Sequence, residues 1–123
     1  MKEKTSVVFT GDIGFDRYMN GQWDDEELLS RDILDFLGGA DHVVANVEGP
    51  LIDAPLNETK EGTAQLVHTM DPAAVRVLKK AHADIWNLCN NHIMDAGEDG
   101  VRATLKEAEE AGALTIGAGM DLE

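Results

Sequence analysis

The chain has 123 residues, which is enough for one compact domain but not for two. Its 10 basic and 24 acidic side chains give a net charge of −14, so nucleic acids and anionic membranes are repelled and excluded as electrostatic partners. A single cysteine, Cys89, excludes an intrachain disulfide and predicts a small core residue. No signal peptide is recognisable, which predicts a cytoplasmic chain as given, with a cell-envelope or membrane-associated protein only if a leader has been removed.

The first half of the chain alternates short apolar runs with one amphipathic segment. Residues Ser6–Thr10 predict a buried strand that Gly11 stops. Asp24 or Asp25 can cap a helix that ends at a Gly-Gly pair, and His42–Val47 predict a second strand. The predicted helix places five apolar side chains on one broad face: Leu28, Leu29, Ile33, Phe36 and Leu37.

The second half resumes this alternation after a long predicted loop, 48–63, which contains two prolines. Leu66–Thr69 predict a short strand. Asp71 is a good helix N-cap because Pro72 follows it at the first helical position. Ile85–Cys89 then predict a third strand.

A last helix and a fourth strand complete the pattern. Val101 and Leu105 lie at helical spacing, Gly112 stops the helix, and Leu114–Ile116 begin the strand. Strands that alternate with helices predict one α/β domain, residues 1–123, with a mostly parallel sheet flanked by helices on both faces.

Polar residues follow each of the first three predicted strands. The strand ends are Thr10–Asp12, Ala45–Pro50 and Leu88–His92. Because the carboxyl ends of parallel strands form the ligand crevice of open α/β sheets, we expect these tips to converge. Together they offer two carboxylates, an amide and an imidazole, a mixed oxygen and nitrogen donor set that suits Mn, Fe or Zn.

Five segments carry a family resemblance. Phe9–Asp12, Ala45–Leu51 and Asn90–Gly97 resemble, in order, three signatures of the CapA (poly-γ-glutamate capsule synthesis) family. Gly100–Leu105 and Gly117–Gly119 are similar to the continuation of that family's sequence. The resemblance therefore covers nearly the whole chain.

This resemblance implies an architecture related to calcineurin-like metallophosphoesterases. The chain is then expected to be a partial domain, the amino-terminal half of the sandwich, with the final metal ligands beyond its last residue. The resemblance also implies a divalent metal cofactor. We further expect such a half-domain to self-associate through its exposed sheet edge.

The resemblance also implies roles for individual residues. Asp12 matches the first metal-binding aspartate, Glu48 matches a carboxylate shared by two metals, and Asn91 matches a ligand asparagine. His92 matches the histidine that stabilises the transition state or protonates the leaving group. Phosphoesterases carry a further histidine two residues after the first aspartate, and Gly14 stands there in this chain.

Asp95 has two interpretations. With Glu98 it forms the pattern of a capping box for the last helix, which is the favoured interpretation. It also suits a catalytic pair in which its carboxylate orients His92. In the same loop, one of Asn90 and Asn91 is expected to adopt a positive φ in a turn.

The remaining histidines and glycines favour structural roles. His42 opens a strand, and His82 lies near a helix end. His68 precedes the Asp71 turn, and a place in the lining of the crevice is its less favoured alternative. The segment Gly117–Gly119 predicts a strand-end turn rather than a dinucleotide-binding loop.

Two functions follow from the resemblance. The first is a metal-dependent hydrolase of phosphoesterase type, acting on an anionic small-molecule or polymer substrate in poly-γ-glutamate capsule biosynthesis. The alternative is a non-catalytic accessory module that keeps the fold and binds polymer or partner proteins, which Gly14 favours. A nucleotide-binding domain is a third hypothesis, which rests only on the α/β pattern and weak glycine signals.

Overall fold

The computed structural model describes residues 3–53 and 67–121 and shows an α/β fold, as predicted. Its four strands are β1 (Val7–Ile13), β2 (His42–Val47), β3 (Ile85–Asn87) and β4 (Leu114–Ile116). They form one parallel sheet in the order β1-β2-β3-β4. The helices are α1 (Arg31–Gly38), α2 (Val75–Lys80) and α3 (Gly97–Ala111), with short 3₁₀ turns at 17–19, 22–24 and 72–74. Within the described ranges, no helix combines the length and the apolar character needed to cross a bilayer.

Strands β1 and β3 end at different residues from those predicted. Gly11 does not stop β1; it adopts a φ of +82°, the pairing register shifts between Phe9 and Asp12, and the strand continues to Ile13. A glycine tolerates this left-handed backbone, so the residue makes a bulge instead of an end. Strand β3 ends at Asn87, and Cys89 is exposed beyond it, so the prediction of a core cysteine is wrong.

Helix α1 begins later than predicted. Its N-cap is Ser30, whose hydroxyl accepts a hydrogen bond from the Ile33 N–H at 3.3 Å. The Asp25 carboxylate instead accepts from the Glu27 N–H at 2.9 Å, which forms a local turn before the helix. Leu28 therefore lies outside the helix but still packs against the core.

The segment before α2 follows its prediction in part. Asp71 is an N-cap, and its carboxylate accepts from the Ala73 N–H at 2.8 Å, although the first turn is 3₁₀. The predicted strand 66–69 is not formed by residues 67–69, and Leu66 lies outside the described residues. Met70 makes an isolated bridge with Leu51 instead. Of the predicted loop 48–63, the part beyond Asp53 also lies outside the described residues.

One face of the sheet is buried beneath all three helices. It includes Val43, Ala45, Val47 and Trp86, each at most 1% exposed. These side chains share a hydrophobic core with residues from every helix: Leu37 of α1, Val75, Val77 and Leu78 of α2, and Val101 and Ala108 of α3. The core therefore lies between the helices and this single face.

The other face of the sheet is largely open. The register aligns Phe9, Val44, Ile85 and Leu114 in one row, of which Phe9 is 76% and Leu114 68% exposed. This differs from the expectation of helices on both faces. The strands follow one another across the sheet in chain order, and right-handed crossovers then place every connecting helix on the same side.

Candidate functional site

The carboxyl edge of the sheet carries the predicted site residues. Asp12 lies near the end of β1 and is the register partner of Asn46. Glu48 follows β2 directly, and its N–H donates to the Ile13 carbonyl at 3.0 Å. Asn91 lies in the loop between β3 and α3. Parallel pairing thus brings three distant segments to one rim.

A row of amide side chains ties these strand ends together. The Asn46 Nδ2 donates to the Asp12 Oδ1 at 2.6 Å, and the Asn46 Oδ1 accepts from the Asn87 Nδ2 at 3.0 Å. Asn90 also reaches the Asn46 Oδ1 at 3.3 Å and the Val47 carbonyl at 2.9 Å. Asn46 and Asn87 were not singled out as functional residues from the sequence. The available signal for Asn46 was its position in the strand: it lies two residues after Val44, so a polar side chain follows an apolar one on the same side of the strand.

His92 is the centre of a second group of contacts. Its Nδ1 lies 2.7 Å from the Asp95 Oδ2, and its Nε2 lies 3.2 Å from the Asn91 Nδ2 and 4.0 Å from the Glu48 Oε1. A carboxylate only accepts hydrogen bonds, so this pairing places the imidazole proton on Nδ1. The Nε2 then faces Glu48 and Asn91, and the side chain remains 17% exposed.

Asp95 does not cap α3, so that favoured prediction is wrong. The helix begins at Gly97, and its N-cap residue, Ala96, makes no side-chain cap. The Asp95 Oδ2 bonds instead to the His92 ring and to the backbone N–H of His68, the latter at 2.7 Å. Two donors therefore converge on this oxygen, away from the start of the helix.

The asparagine turn before His92 also differs from its prediction. Among the described residues with side chains, only Arg17 and His82 have a positive φ, so neither Asn90 nor Asn91 does. The Asn90 Oδ1 accepts from the His92 N–H at 3.1 Å, which closes a tight turn through the side chain. A left-handed residue is therefore not needed there.

His68 and Asp16 join the site, although His68 was expected to be structural and Asp16 was not singled out. The His68 Nδ1 lies 2.6 Å from the Asp16 Oδ2. The rings of His68 and His92 meet edge to face, with centroids 4.2 Å apart and an interplanar angle of 68°. No local sequence pattern distinguishes these residues, because their contacts depend on loops that meet only in the folded chain.

Gly49 packs directly against the backbone of His68. Gly49 has a φ of +99°, and a Cβ built on it would lie 2.2 Å from the His68 carbonyl oxygen. The neighbouring Pro50 carbonyl accepts from the Met70 N–H at 2.9 Å. The loop after Glu48 is therefore packed directly on the backbone of His68, and only glycine fits at the point of closest approach.

Helix α3 supports the same loop from below. The Thr104 hydroxyl donates to the Gly100 carbonyl at 2.7 Å and accepts from the Leu51 N–H at 2.8 Å. A Cβ on Gly100 would lie 3.1 Å from the Pro50 Cβ. These contacts give the segment Gly100–Leu105 a structural role in docking the loop.

The other two histidines lie at the amino edge of the sheet. The His42 Nδ1 is 2.8 Å from the Asp84 Oδ2, and the Asp84 Oδ1 accepts from the Val43 N–H at 2.7 Å. Burial disfavours the charge on Asp84, but these hydrogen bonds outweigh it and lower the pKa of its carboxyl. His82 follows α2 with a φ of +58° and packs against Gly38.

The donor types at the rim fit a divalent cation. Carboxylates and an amide oxygen, from Asp12, Glu48 and Asn91, are ligands for hard and borderline metals. Within the described residues the Asp16 Oδ2 is also buried without a hydrogen-bond partner, although the His68 Nδ1 lies 2.6 Å away. Within residues 3–53 and 67–121, however, no three acidic, histidine or cysteine side chains are close enough together to enclose an ion.

Gly14 leaves open space where a phosphoesterase has a histidine. A Cβ built on Gly14 would meet only the Glu48 carbonyl oxygen, at 4.0 Å. A Cβ at this position would therefore make no close contact. With glycine here, the chain has no side-chain ligand at this position.

Comparisons with known proteins agree with the signatures in the sequence. The sequence model of the family described as "Bacterial capsule synthesis protein PGA_cap" matches residues 6–123. The "Capsule biosynthesis protein CapA" of Bacillus anthracis is 26% identical over 119 residues, which cover 95% of this chain and 29% of that protein. The "PGA biosynthesis protein CapA" of Bacillus subtilis (strain 168) is 27% identical over 119 residues, 95% of this chain and 31% of that protein. The chain thus spans about a third of the length of these relatives.

Proposed function

The chain belongs to the bacterial capsule synthesis family PGA_cap, and from this premise we propose that it carries part of the site of a metal-dependent hydrolase acting on a phosphate ester or a related anionic substrate. The observation that supports this proposal most directly is the environment of His92. Its ring contacts Asp95 on one side and faces Glu48 and Asn91 on the other, at the carboxyl edge of a parallel sheet.

In this proposal Asp12, Glu48 and Asn91 hold the cation. A bound divalent cation would supply Lewis-acid polarisation of a phosphoryl oxygen. Asn46 fixes the Asp12 carboxylate through the 2.6 Å hydrogen bond, which leaves the other Asp12 oxygen for a ligand. Asn91 would bind through its amide oxygen, since its Nδ2 is turned towards His92.

His92 moves the proton. With Nδ1–H held by the Asp95 carboxylate, the Nε2 is the atom that would carry a proton to the leaving oxygen of the substrate. The Asp95 carboxylate keeps the ring orientation fixed. This assigns proton transfer to His92 and its orientation to Asp95.

The names of the relatives suggest the biological setting. Two CapA proteins are named for the biosynthesis of capsule or PGA, so we propose an anionic substrate, either a small molecule or a polymer, in poly-γ-glutamate capsule synthesis at the cell envelope. The net charge of −14 opposes direct binding of polyglutamate without a metal, because like charges would meet. A cation at the rim would offset this repulsion.

Metal binding tests the proposal most simply. We expect isothermal titration calorimetry with Mn²⁺ to show saturable binding by the intact chain, and at least a ~10-fold weaker affinity for Asp12→Ala and Glu48→Ala. Glu109→Ala, on an exposed position near the carboxyl end of α3, removes the same charge and serves as the control. Equal affinities for all four proteins would refute the assignment of Asp12 and Glu48.

A non-catalytic capsule module is the second candidate, and Gly14 favours it. Glycine offers no metal ligand at this position, and the described part of the chain has no cluster of three acidic, histidine or cysteine side chains that could hold an ion. An accessory protein that has kept the fold but lost catalysis would have both features. Hydrolysis of an aryl phosphate in the presence of Mn²⁺ separates the two functions. An enzyme should show a slow rate that His92→Ala abolishes and His42→Ala leaves unchanged, whereas a module should show equal background rates for all three proteins.

A further inference from the structure

We propose that Asp16 and His68 form a positioning pair that fixes the orientation of the His92 ring. The proposal rests on the proposed role of His92 in proton transfer, and it assigns a function to two residues that no sequence motif identified. His68 acts through His92 and Asp95, and is therefore a positioning residue rather than a catalytic one.

The first observation is that Asp95 connects the two histidines. A single oxygen, the Asp95 Oδ2, bonds to the His92 Nδ1 at 2.7 Å and to the His68 backbone N–H at 2.7 Å. The position of the carboxylate therefore depends on the backbone of His68 as well as on the His92 ring. A displacement of His68 would shift the acceptor that holds the His92 proton.

The second observation is the ring contact. His68 meets His92 edge to face with centroids 4.2 Å apart, so the His68 ring occupies the space into which His92 would otherwise rotate. The side chains are 23% and 17% exposed, respectively, which means that both rings are largely enclosed. Packing of this kind restricts the second torsion angle of an imidazole, which is otherwise broadly distributed.

The third observation is the contact of His68 with Asp16. The Asp16 Oδ2 lies 2.6 Å from the His68 Nδ1, and the Asp16 side chain is 15% exposed. Within the described residues this oxygen is buried and has no hydrogen-bond partner, so close contact and enclosure, rather than a hydrogen bond, hold the ring. Asp16 follows β1, whereas His68 lies against the loop after β2, so the pair joins two sides of the site.

Three separate segments of the chain hold His68 in place. Asp95 binds its N–H, Gly49 packs on its carbonyl, and Asp16 contacts its ring. Each histidine has its Nδ1 close to a carboxylate oxygen, and His92 forms a hydrogen bond with that oxygen. A carboxylate at one ring nitrogen is the device by which proteins select one tautomer of an imidazole.

The tautomer of His92 tests the proposal. Long-range ¹H–¹⁵N correlation spectra of the ¹⁵N-labelled chain, recorded with a chelator at mildly alkaline pH, report the proton position on each neutral imidazole. We expect His92 of the wild-type chain to be a single tautomer protonated at Nδ1. Asp16→Asn and His68→Phe should each convert it to a mixture, seen as the two ring ¹⁵N shifts moving towards each other, and Asp95→Asn should have the largest effect.

His42→Phe is the matched control. It removes a histidine–aspartate contact of similar length, 2.8 Å, at the other edge of the sheet, and should leave the His92 signals unchanged. An unchanged single tautomer in both Asp16→Asn and His68→Phe, with a dispersed amide spectrum, would overturn the proposal. A mixture already present in the wild-type chain would do the same, and loss of the fold in both variants would indicate a purely structural pair.

The experiment also separates this proposal from the proposed function. The spectra need neither metal nor turnover, so a failure to bind Mn²⁺ would refute the metal site and leave the positioning pair intact. Conversely, metal binding together with an unaffected His92 tautomer would retain the proposed function and remove the role of Asp16 and His68.

Discussion

Two aspartates, Asp84 and Asp95, each accept hydrogen bonds from a histidine ring and from a backbone N–H of a different segment. Asp84 does so at the amino edge of the sheet with His42 and Val43. Asp95 does so at the carboxyl edge with His92 and His68. At the residue scale, each carboxylate has several acceptor positions, so it can hold an imidazole ring and a backbone N–H at the same time. Asp84 thereby fixes strand β2, and Asp95 fixes the backbone at His68.

Asp84 provides a stability prediction at this scale. Asp84→Ala should lower the free energy of unfolding by about 1–3 kcal/mol, because the Val43 N–H, in a residue that is 1% exposed, loses its acceptor. Asp84→Asn should cost less, since the amide oxygen can still accept from Val43. Urea denaturation of the two variants measures the difference, and equal losses would contradict the role of the Val43 hydrogen bond.

The pH dependence of the same pair has a definite sign. The pKa of Asp84 is lowered from 3.8, so its charge stabilises the fold above pH 3.8, and this contribution is lost as the pH falls through the lower folded-state value. The stability difference between the wild-type chain and Asp84→Asn should therefore shrink below pH 3.8. A difference that stays constant down to strongly acidic pH would show that the charge has no part in it.

At the scale of elements, α3 acts as the support for the loop that follows β2. Thr104 joins the helix to the Leu51 N–H, and Gly100 allows the close approach of Pro50. The same loop carries Glu48 and packs on His68 through Gly49. The position of the site therefore depends on how this helix docks, and not only on the sheet.

Thr104 tests this docking. Thr104→Val keeps the shape of the buried side chain but removes the hydroxyl, and should cost about 1–3 kcal/mol because the Leu51 N–H is left without a partner. Thr104→Ser keeps the hydroxyl and is the control. Hydrogen exchange of the Leu51 amide should accelerate in the valine variant and much less in the serine variant. Equal exchange in both would argue against the hydroxyl as the link.

At the scale of the whole molecule, the open face of the sheet is the dominant feature. Its central apolar row runs across all four strands and is most exposed at the two edge strands, at Phe9 and Leu114. Exposed apolar rows on edge strands favour association with another sheet. A second copy of the chain packed against this face would bury the row.

We therefore predict that the chain self-associates. Multi-angle light scattering should show a dimer or larger species that Phe9→Lys converts to a monomer. Tyr18→Lys is the control, because Tyr18 is 85% exposed and lies outside the sheet. Salt should strengthen the association, since each copy carries a net charge of −14. A wild-type chain that remains monomeric at high protein concentration would contradict this prediction.

The sequence by itself determined the elements whose patterns are local. The bounds of β2, the N-cap at Asp71 and the α/β class follow from apolar runs, turn residues and their spacing, which encode backbone preferences over a few residues. The location of Asp12 and Glu48 at strand ends, and of Asn91 in the loop after β3, could also be predicted, because the carboxyl edge of a parallel sheet is a property of its topology.

The tertiary structure decided which side chains meet. Asp95 accepts from the N–H of His68, 27 positions earlier in the chain, rather than capping its own helix. Asp16 reaches His68 only because two loops close over the same rim. Strand order likewise left one face of the sheet uncovered. Such contacts depend on the packing of segments that are distant in the chain. Local backbone propensities describe only a few neighbouring residues, so they do not predict which distant segments meet.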